Sequence, residues 1–409
     1  MRRASIAYVV LFVGIAANAP YITLYYQSVG IPLAWIGALV AFTGATALVS
    51  GPAWGVVHDR FPRSLVLLPL AGGLAAVGCY GLFWTGATPL LPVFAALFAI
   101  GMSGLFPMID VRVLELTGSD RTRYSLVRAC GSAAFIVFAP LIGLLANAQG
   151  YGVIFLIIIP AMLVGSLIAN SVPGRSNVLR APSMLRAPGR VLSHRPIAIF
   201  MLGSLVCWTA IYSQTGFFSI YLKSLGAPAE QVGWAWSIAA LLEVPVMVAY
   251  PILARRVGVE RLILLGVGIA VARQIANVVF TEPSILLACS ILQGAGFALL
   301  LVGGVTFVSR QAPRGTAATA QGLLSAVTVL ASIIGSGVGG QVAGIITIRG
   351  LYAVSVGLGL LGIVMISAAV LPAALRGQSH DPDVPPGVAA AVIDIGAGLE
   401  PAVEVPDEI

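Results

Sequence analysis

The sequence contains nearly the same eight residues twice, YYQSVGIP at 25–32 and YLKSLGAP at 221–228. The match extends beyond these residues. A shift of 196 residues aligns, without a gap, Tyr25 with Tyr221, Ser28 with Ser224, Gly30 with Gly226, Pro32 with Pro228, Gly37 with Gly233 and Arg60 with Arg256. Because a chance turn would not keep register over this distance, the pattern predicts two halves of common origin.

The composition predicts a protein embedded in a lipid bilayer. Of 409 residues, 59% are hydrophobic and only 9% are charged. Soluble domains carry about 25% charged residues, so an ordinary soluble fold is excluded.

Apolar runs of the roughly 20 residues needed to cross a bilayer recur along the chain. We predict twelve spans, at 6–27, 34–57, 64–85, 89–116, 124–147, 151–172, 197–222, 230–254, 261–280, 284–309, 315–343 and 350–375. Runs of small residues such as GSGVGG at 335–340 favour close helix packing. The predicted fold is therefore an all-α membrane protein with two homologous six-helix bundles.

The longest polar interruption separates the two repeats. We predict an N-terminal six-helix bundle at 1–173, a cytoplasmic connector at 174–195, a C-terminal six-helix bundle at 196–375 and a disordered acidic cytoplasmic tail at 376–409. Since six is an even number, both halves have the same orientation and are related by an axis along the membrane normal. This arrangement is typical of alternating-access transporters.

The basic residues predict the orientation. Seventeen of the 22 Lys and Arg fall at the N-terminus, in alternate loops or directly after the last span. By the positive-inside rule both termini are cytoplasmic, and we expect a multi-pass protein of the cytoplasmic membrane. The net charge of +7 is then a topology signal, so we expect no nucleic-acid partner.

Other functional classes lack their sequence signals. The spans contain no HExxH pair, no GxSxG elbow and no Walker loop, and the four cysteines lie in four different spans. We therefore expect no enzyme activity, no metal and no cofactor, and a monomer whose partners are a small-molecule solute and the bilayer. A channel or a structural membrane protein is the alternative of another class.

The segment GVVHDRFPRS at 55–64 resembles the loop signature Gly-x-x-x-Asp-Arg-x-Gly-Arg-Arg of the major facilitator superfamily, with departures at Pro62 and Ser64. The resemblance implies that this segment forms a cytoplasmic gate in which the aspartate caps a neighbouring helix and holds the outward-facing state. The implied gate residues are Gly55, Asp59, Arg60 and Arg63. A charged loop that follows the positive-inside rule is the simpler alternative.

The corresponding place in the second half differs. It reads PILARRVG at 251–258, where Arg255 replaces the aspartate. We therefore assign the gate to the first half alone.

A narrower resemblance links the chain to the branch of that superfamily with lactose permease, nucleoside proton symporters and the phenylpropionate permease. The segments that carry it are PYITLYYQSVG at 20–30, FPMID at 106–110, YSLVRACGSAAFIV at 124–137, LLEVPV at 241–246, VARQ at 271–274 and TAQG at 319–322. Two departures matter: Cys130 stands where the branch commonly has Trp, and Gln293 where many members have His. The resemblance implies transport, with H⁺ as the coupling ion.

Charged residues inside spans cost roughly 3 kcal/mol or more, so they normally face the bundle interior and find a partner. Glu243 and Arg273 lie at similar depth on consecutive antiparallel helices, and we predict that they pair. As a coupling pair, the two residues would be subject to opposing effects. Burial favours the neutral carboxyl group of Glu243, whereas a nearby arginine favours its carboxylate form. A permanent structural ion pair is the alternative.

A second pair is predicted near the cytoplasmic ends of the fourth and fifth spans. Asp110 is the deeper acid there and is the preferred partner of Arg128, and both a functional and a structural role stay open. Glu115 is closer to the interface and is expected to pair with Arg112.

Neutral polar and aromatic residues are candidates to line a midplane cavity, although each is also compatible with a helix contact. They are Asn18, Tyr21, Tyr25, Trp208, Tyr212, Gln214, Trp236, Gln274, Asn277, Gln293 and Gln321.

Together these features predict a secondary active transporter that moves a sugar, a nucleoside or an aromatic acid by alternating access, with proton symport. The alternative within transport is a proton-coupled efflux antiporter of sugars or drugs. The residues APLIG at 139–143 match the Gly-Pro signature of drug exporters only in part.

Overall fold

The computed structural model describes residues 1–61, 64–86, 88–117, 121–173, 188–313 and 316–375. These form α1 (Arg2–Asn18), α2 (Ile22–Ser28), α3 (Leu33–Arg60), α4 (Leu67–Thr85), α5 (Leu91–Thr117), α6 (Arg121–Gln149), α7 (Val153–Asn170), α8 (Pro188–Leu192), α9 (Arg195–Ser224), α10 (Ala229–Val257), α11 (Val259–Val279), α12 (Pro283–Gln311), α13 (Ala317–Ile346) and α14 (Ile348–Leu375). Arg63, most of the predicted connector and the predicted tail lie outside the described residues.

Within the described residues, twelve helices are long and apolar enough to cross a membrane, which confirms the predicted all-α membrane fold. The first span consists of α1 and α2, with the interruption around Pro20, whose ring removes a backbone donor. The second span reaches further than predicted, so Asp59 and Arg60 lie in the last turn of α3 rather than in a loop. A positive side chain at a helix C-terminus, here Arg60, favours this extension.

The duplicated octapeptide forms the same turn in both halves. Gly30 (φ 84°) and Gly226 (φ 89°) adopt the left-handed conformation that favours glycine, and Pro32 and Pro228 are the N-caps of α3 and α10. The hydroxyls of Ser28 and Ser224 each donate to the carbonyl oxygen three residues earlier, at 2.7 Å.

The two tyrosines of the repeat also act alike. Tyr25 donates to the carbonyls of Leu82 (3.2 Å) and Phe83 (3.1 Å) at the end of α4, and Tyr221 donates to the carbonyl of Asn277 (2.9 Å) near the end of α11. Each hydroxyl therefore ties the first span of its half to the third span.

Two seams of small residues join the first half (α1–α7) to the second half (α9–α14). In one, a methyl group added to Gly37 would lie 2.7 Å from Cα of Gly340, so α3 and α13 are in backbone contact. In the other, a methyl group on Gly233 would lie 2.5 Å from the carbonyl oxygen of Ala139, which brings α10 against α6. Gly37 and Gly233 are the residues that the repeat aligns, so the seams are equivalent.

Hydrogen bonds reinforce the seam between α6 and α10. Tyr21 donates to the carbonyls of Ala139 (2.6 Å) and Ala229 (3.3 Å), one in each half. Asn147 donates from Nδ2 to the Glu230 carboxylate, and its Oδ1 accepts the Ala229 N–H at 2.8 Å. These hydrogen bonds connect the two halves beside the contact at Gly233.

Both seams lie on one side of the bundle. We call the side where α1 begins and α14 ends the terminal side, and the other the opposite side. The first-half core cluster continues into opposite-side residues of the second half, such as Phe217, Val232 and Tyr352, whereas the other core cluster contains only second-half residues and Val191 of α8. On the terminal side α3 is exposed, for example at Val49 and Val56. The described helices therefore close the opposite side.

A larger side chain at Gly37 should open this closure. Overpacking costs about 1–3 kcal/mol, so Gly37→Leu is expected to shift the population about 5- to 150-fold toward a state that is open on the opposite side. The measurement is the maleimide labelling rate of Ala41→Cys, which lies against Gly337, in protein whose native cysteines are replaced.

Gly51→Leu on the same helix is the control, because no atom lies within 4 Å of an added methyl group there. Equal labelling of the two variants would show that the seam does not hold the halves together.

Candidate functional site

A buried ionic cluster lies in the first half. Arg128 on α6 donates from Nη1 to both oxygens of Asp110 on α5, at 3.2 and 3.3 Å, and both residues are at most 2% exposed. The Tyr8 hydroxyl on α1 donates to the same carboxylate. The predicted pairing of Asp110 with Arg128 is thus present in the structure, with Tyr8 as an unforeseen third member.

This first-half triad lies about 10 Å from the terminal side, since Asp110 is seven residues from the end of α5 and Arg128 seven from the start of α6. Below it, Arg112 donates to the carbonyls of Asn170 (2.9 Å) and Ser64 (3.0 Å). Glu115 lies near Arg112 and interacts with it electrostatically. These contacts connect α5, α7 and the turn after α3.

A small cavity in the second half is lined by residues from three helices. They are Ile211 and Gln214 on α9, Ala270, Arg273 and Gln274 on α11, and Gln293 and Phe297 on α12. We call this the second-half cavity. Four of the seven lining residues are polar, and all four were predicted as coupling or cavity residues.

Arg273 is the charged group of this cavity and is 4% exposed. Its guanidinium carbon lies 4.6 Å from the centroid of the Phe218 ring, a cation–π contact. Its Nε and Nη2 atoms are buried and have no hydrogen-bond partner among the described residues. Arg273 is therefore held in place, with one edge of its guanidinium group unused.

Glu243 does not form the predicted ion pair with Arg273 in this structure. Glu243 lies fourteen residues before the end of α10 and Arg273 fourteen residues after the start of α11, so each is about 21 Å from the turn at Gly258, as expected from their equal depth. Within the described part of the chain, however, no ion pair within 4 Å joins them. Glu243 is half-buried and lies near the Tyr212 hydroxyl, while Arg273 turns toward Phe218.

The amides beside Arg273 form a partly satisfied network. Asn277 donates to Oε1 of Gln214 at 3.1 Å, which leaves the buried Nε2 of Gln214 without a described partner. The buried Oε1 of Gln274 also has no described partner. The cavity thus offers both a donor and an acceptor to a polar molecule.

Aromatic residues separate this cavity from a neighbouring one. Trp208 stacks on Tyr212 with ring centroids 5.6 Å apart and meets Phe297 edge-on at 5.1 Å. Trp208 also lines a second small cavity, which includes Ser204 and Thr328.

Several predicted cavity residues have other positions. Tyr21 and Tyr25 direct their hydroxyls to backbone carbonyls, as described above, and both are buried. Gln321 is four residues from the start of α13 and donates to Ser309 at 2.7 Å, so it lies near the terminal side and not at the midplane. Tyr21 and Tyr25 differ from the prediction because a residue's facing cannot be inferred from its depth, whereas Gln321 differs in depth, being close to the start of α13.

Trp236 and Asn18, the remaining predicted cavity residues, are only half-buried. Trp236 is half-buried and its indole N–H donates to Ser219 at 3.2 Å. Asn18 is half-buried at the end of α1, and its Oδ1 has no partner among the described residues. Their position leaves the cavity-lining prediction open.

The implied gate residues lie at the exposed terminal-side end of α3. Gly55, Asp59 and Arg60 are exposed, and Asp59 forms no hydrogen bond or ion pair with a described residue. No capping contact of Asp59 to a neighbouring helix is present among the described residues, as expected when the terminal side is open.

Three features of the structure were not foreseen from the sequence, because each depends on a neutral residue, and such a residue carries no strong sequence signal. Tyr8 in the first-half triad, Phe218 against Arg273 and the Asn147–Glu230 contact were not predicted. The signal for the seams was available, since Gly37 and Gly233 align in the repeat.

Twelve spanning helices, two equivalent turns and seams, and buried charges in the bundle interior define a multi-pass transporter of the major facilitator fold. The chain belongs to the MFS_1-like family, whose model matches residues 1–354. The superfamily resemblance drawn from the motifs is thereby confirmed.

Known proteins of this kind are similar over most of the chain. The maltose permease of Geobacillus stearothermophilus is 26% identical over 78% of this chain and 82% of its own length. A putative sugar efflux transporter of Deinococcus radiodurans is 27% identical over 82% of this chain and 88% of its own length. The structure of the nucleoside transporter NupG has a TM-score of 0.79 at 15% identity and shares the fold over 90% of this chain and 98% of that chain.

Removing one member of the first-half triad should destabilise the bundle. Asp110→Asn leaves the buried Arg128 without its carboxylate, and such losses cost about 3–5 kcal/mol. Asp110→Asn combined with Arg128→Gln should recover part of this loss, because both charges are then absent. The measurement is chemical unfolding in detergent, followed by circular dichroism.

Asp59→Asn on the exposed end of α3 serves as the control and should leave stability unchanged. Additive losses in the double variant would contradict a direct interaction between Asp110 and Arg128.

Proposed function

We propose that this chain is a secondary active transporter that moves a small polar or amphipathic solute by alternating access, with proton symport. The observation that carries the proposal is the one-sided contact between the halves around buried polar residues. A solute the size of a sugar or a nucleoside is supported by relatives named maltose permease and putative sugar efflux transporter, and by the fold shared with a nucleoside transporter.

Alternating access is supported by the two equivalent seams. Each seam brings small residues of the two halves into contact, so a rotation of one half against the other separates it while the other core cluster, which contains no first-half residue, stays packed. The described structure corresponds to the state that is closed on the opposite side. If the termini are cytoplasmic, as the arginine distribution predicts, this is the state that opens to the cytoplasm.

Proton coupling is assigned to Glu243. Its carboxylate lies at the depth of Arg273 without touching it, and its backbone packs on Gly294 of α12, beside the cavity residue Gln293. In this proposal, a movement of α10 relative to α11 brings the two charges together in another state of the cycle. Glu243 would then be charged when paired with Arg273 and protonated when the pair is broken, which is the exchange that coupling requires.

Efflux by proton antiport is the second candidate and is favoured by one observation, the similarity to a putative sugar efflux transporter. The two candidates use the same cavity and the same carboxylate. They differ in whether solute and protons move in the same direction.

The test for coupling is transport into proteoliposomes that contain a pH-sensitive dye, with sugars, nucleosides and aromatic acids as solutes. Glu243→Gln should exchange labelled solute across the membrane at a rate within about threefold of the parent. It should not accumulate solute in response to a pH gradient, because the amide cannot release a proton.

Glu260→Gln is the matched control, a glutamate that is 3% exposed in the first turn of α11 and lies outside the cavity. Accumulation by Glu243→Gln equal to that of the parent would remove the coupling role. Solute movement opposite to proton movement would establish the antiport candidate.

The gate assignment has its own test. Asp59→Asn should reduce the transport rate and shift the resting population further toward the state that is open on the terminal side, because the contact that closes that side is lost. The measurement combines initial transport rates with maleimide labelling of Val56→Cys. Unchanged transport together with unchanged labelling would exclude a gate at Asp59.

A further inference from the structure

The two unused nitrogens of Arg273 lie on the same edge of its guanidinium group. Nε–H and Nη2–H point in nearly parallel directions, and this pair is the fork that binds a carboxylate through two hydrogen bonds. Both atoms are buried and neither has a described hydrogen-bond partner. The free edge is therefore a bidentate donor site inside the bundle.

The charge of this site favours an anion over a neutral acceptor. Arg273 is 4% exposed in the membrane-spanning part of the chain, and no carboxylate of the described residues lies within 4 Å of it. The face of Phe218 offsets only part of the cost of burying a positive charge. The hydroxyls of a neutral sugar would satisfy the N–H groups but would leave the charge uncompensated.

The surroundings extend the site beyond the fork. Nε2 of Gln214 is buried without a described partner, and its Oε1 is held by Asn277, so a donor is left free on the cavity wall. Ile211 and Phe297 supply apolar walls to the same cavity. The cavity thus combines three N–H donors with surface for an apolar body.

We propose that the transported solute carries a carboxylate, which binds to Nε and Nη2 of Arg273, with Nε2 of Gln214 as a third donor. This inference rests on the proposed transport function and names the solute class for the same cavity. Glu243, at the same depth, is the internal carboxylate that replaces the solute at Arg273 in another state of the cycle.

The first test uses the unmodified protein and pairs of ligands that differ only in charge. Binding to purified protein in detergent is measured by isothermal titration calorimetry for 3-phenylpropionate against 3-phenylpropanamide, and for glucuronate against glucose. The carboxylate of at least one pair should bind at least about tenfold more tightly than its neutral partner. Equal or weaker binding of both carboxylates would overturn the proposal.

The second test locates the preference. Arg273→Gln should reduce the preference for the carboxylate to within about twofold of unity, and Arg273→Lys should retain only part of it, since lysine keeps the charge but lacks the fork. Arg112→Gln is the matched control, because Arg112 is also a buried arginine but binds backbone carbonyls away from the cavity. A preference that survives in Arg273→Gln would overturn the assignment to Arg273.

Transport of the same ligands separates this proposal from the transport function itself. Uptake of glucose or of the neutral amide, without binding of either carboxylate, would overturn the carboxylate assignment and leave the transporter in place. If carboxylates bind with the expected preference but neither they nor any neutral solute cross the membrane, the site is supported and the transport function is not.

Discussion

The close approach of helix backbones at Gly37 and Gly233 is the constraint on which the conformation of the protein depends. In a bilayer, helices gain nothing from the hydrophobic effect when they associate, so the halves are held by van der Waals contact and a few hydrogen bonds. Such contact requires small residues, and the seams contain Gly37 against Gly340 and Gly233 against Ala139. The remaining interior of each half is filled by larger side chains of its own. The junction of the halves therefore depends on close contact between small residues, which a change in the position of α3 or α10 would disrupt.

Arg128 and Arg273 are both buried, but their positive charges are compensated in different ways. Arg128 has the Asp110 carboxylate as its partner, and Tyr8 donates to the same carboxylate, so the charge is compensated and the first-half triad joins α1, α5 and α6. Arg273 has an aromatic face and a free edge, so its charge is only partly compensated. A closed pair stabilises one arrangement, whereas an open site is favourable only when a second molecule or a moving side chain completes it. The difference in partners favours a structural role for the first arginine and supports the proposed binding role of the second.

Much of this arrangement could be predicted from the sequence, because depth along a helix follows from counting residues. The twelve spans and the pairing of Asp110 with Arg128 required only a rise of 1.5 Å per residue and antiparallel neighbours. The equal depth of Glu243 and Arg273 was also predicted. The ion pair between them was predicted too but is absent from the described residues, because pairing depends on helix rotation and side-chain rotamers, and Arg273 lies against Phe218. The same limit applies to Tyr21, whose depth suits a cavity but whose hydroxyl faces the seam.

The alignment of the two repeats distinguishes structural features that both halves share from charged residues that only one half has. The turns at Gly30 and Gly226, the tyrosine bonds and the glycine seams are equivalent, so the frame that permits motion is symmetric. The charged residues of the two halves are not equivalent. Asp59 has no counterpart, since the second half has Arg255 at that place. An unpaired buried arginine costs stability that a symmetric frame does not require, and in the proposed cycle a solute or Glu243 recovers that cost only in some states. A free energy that differs between states in this way is what links occupancy of the cavity to motion of the halves.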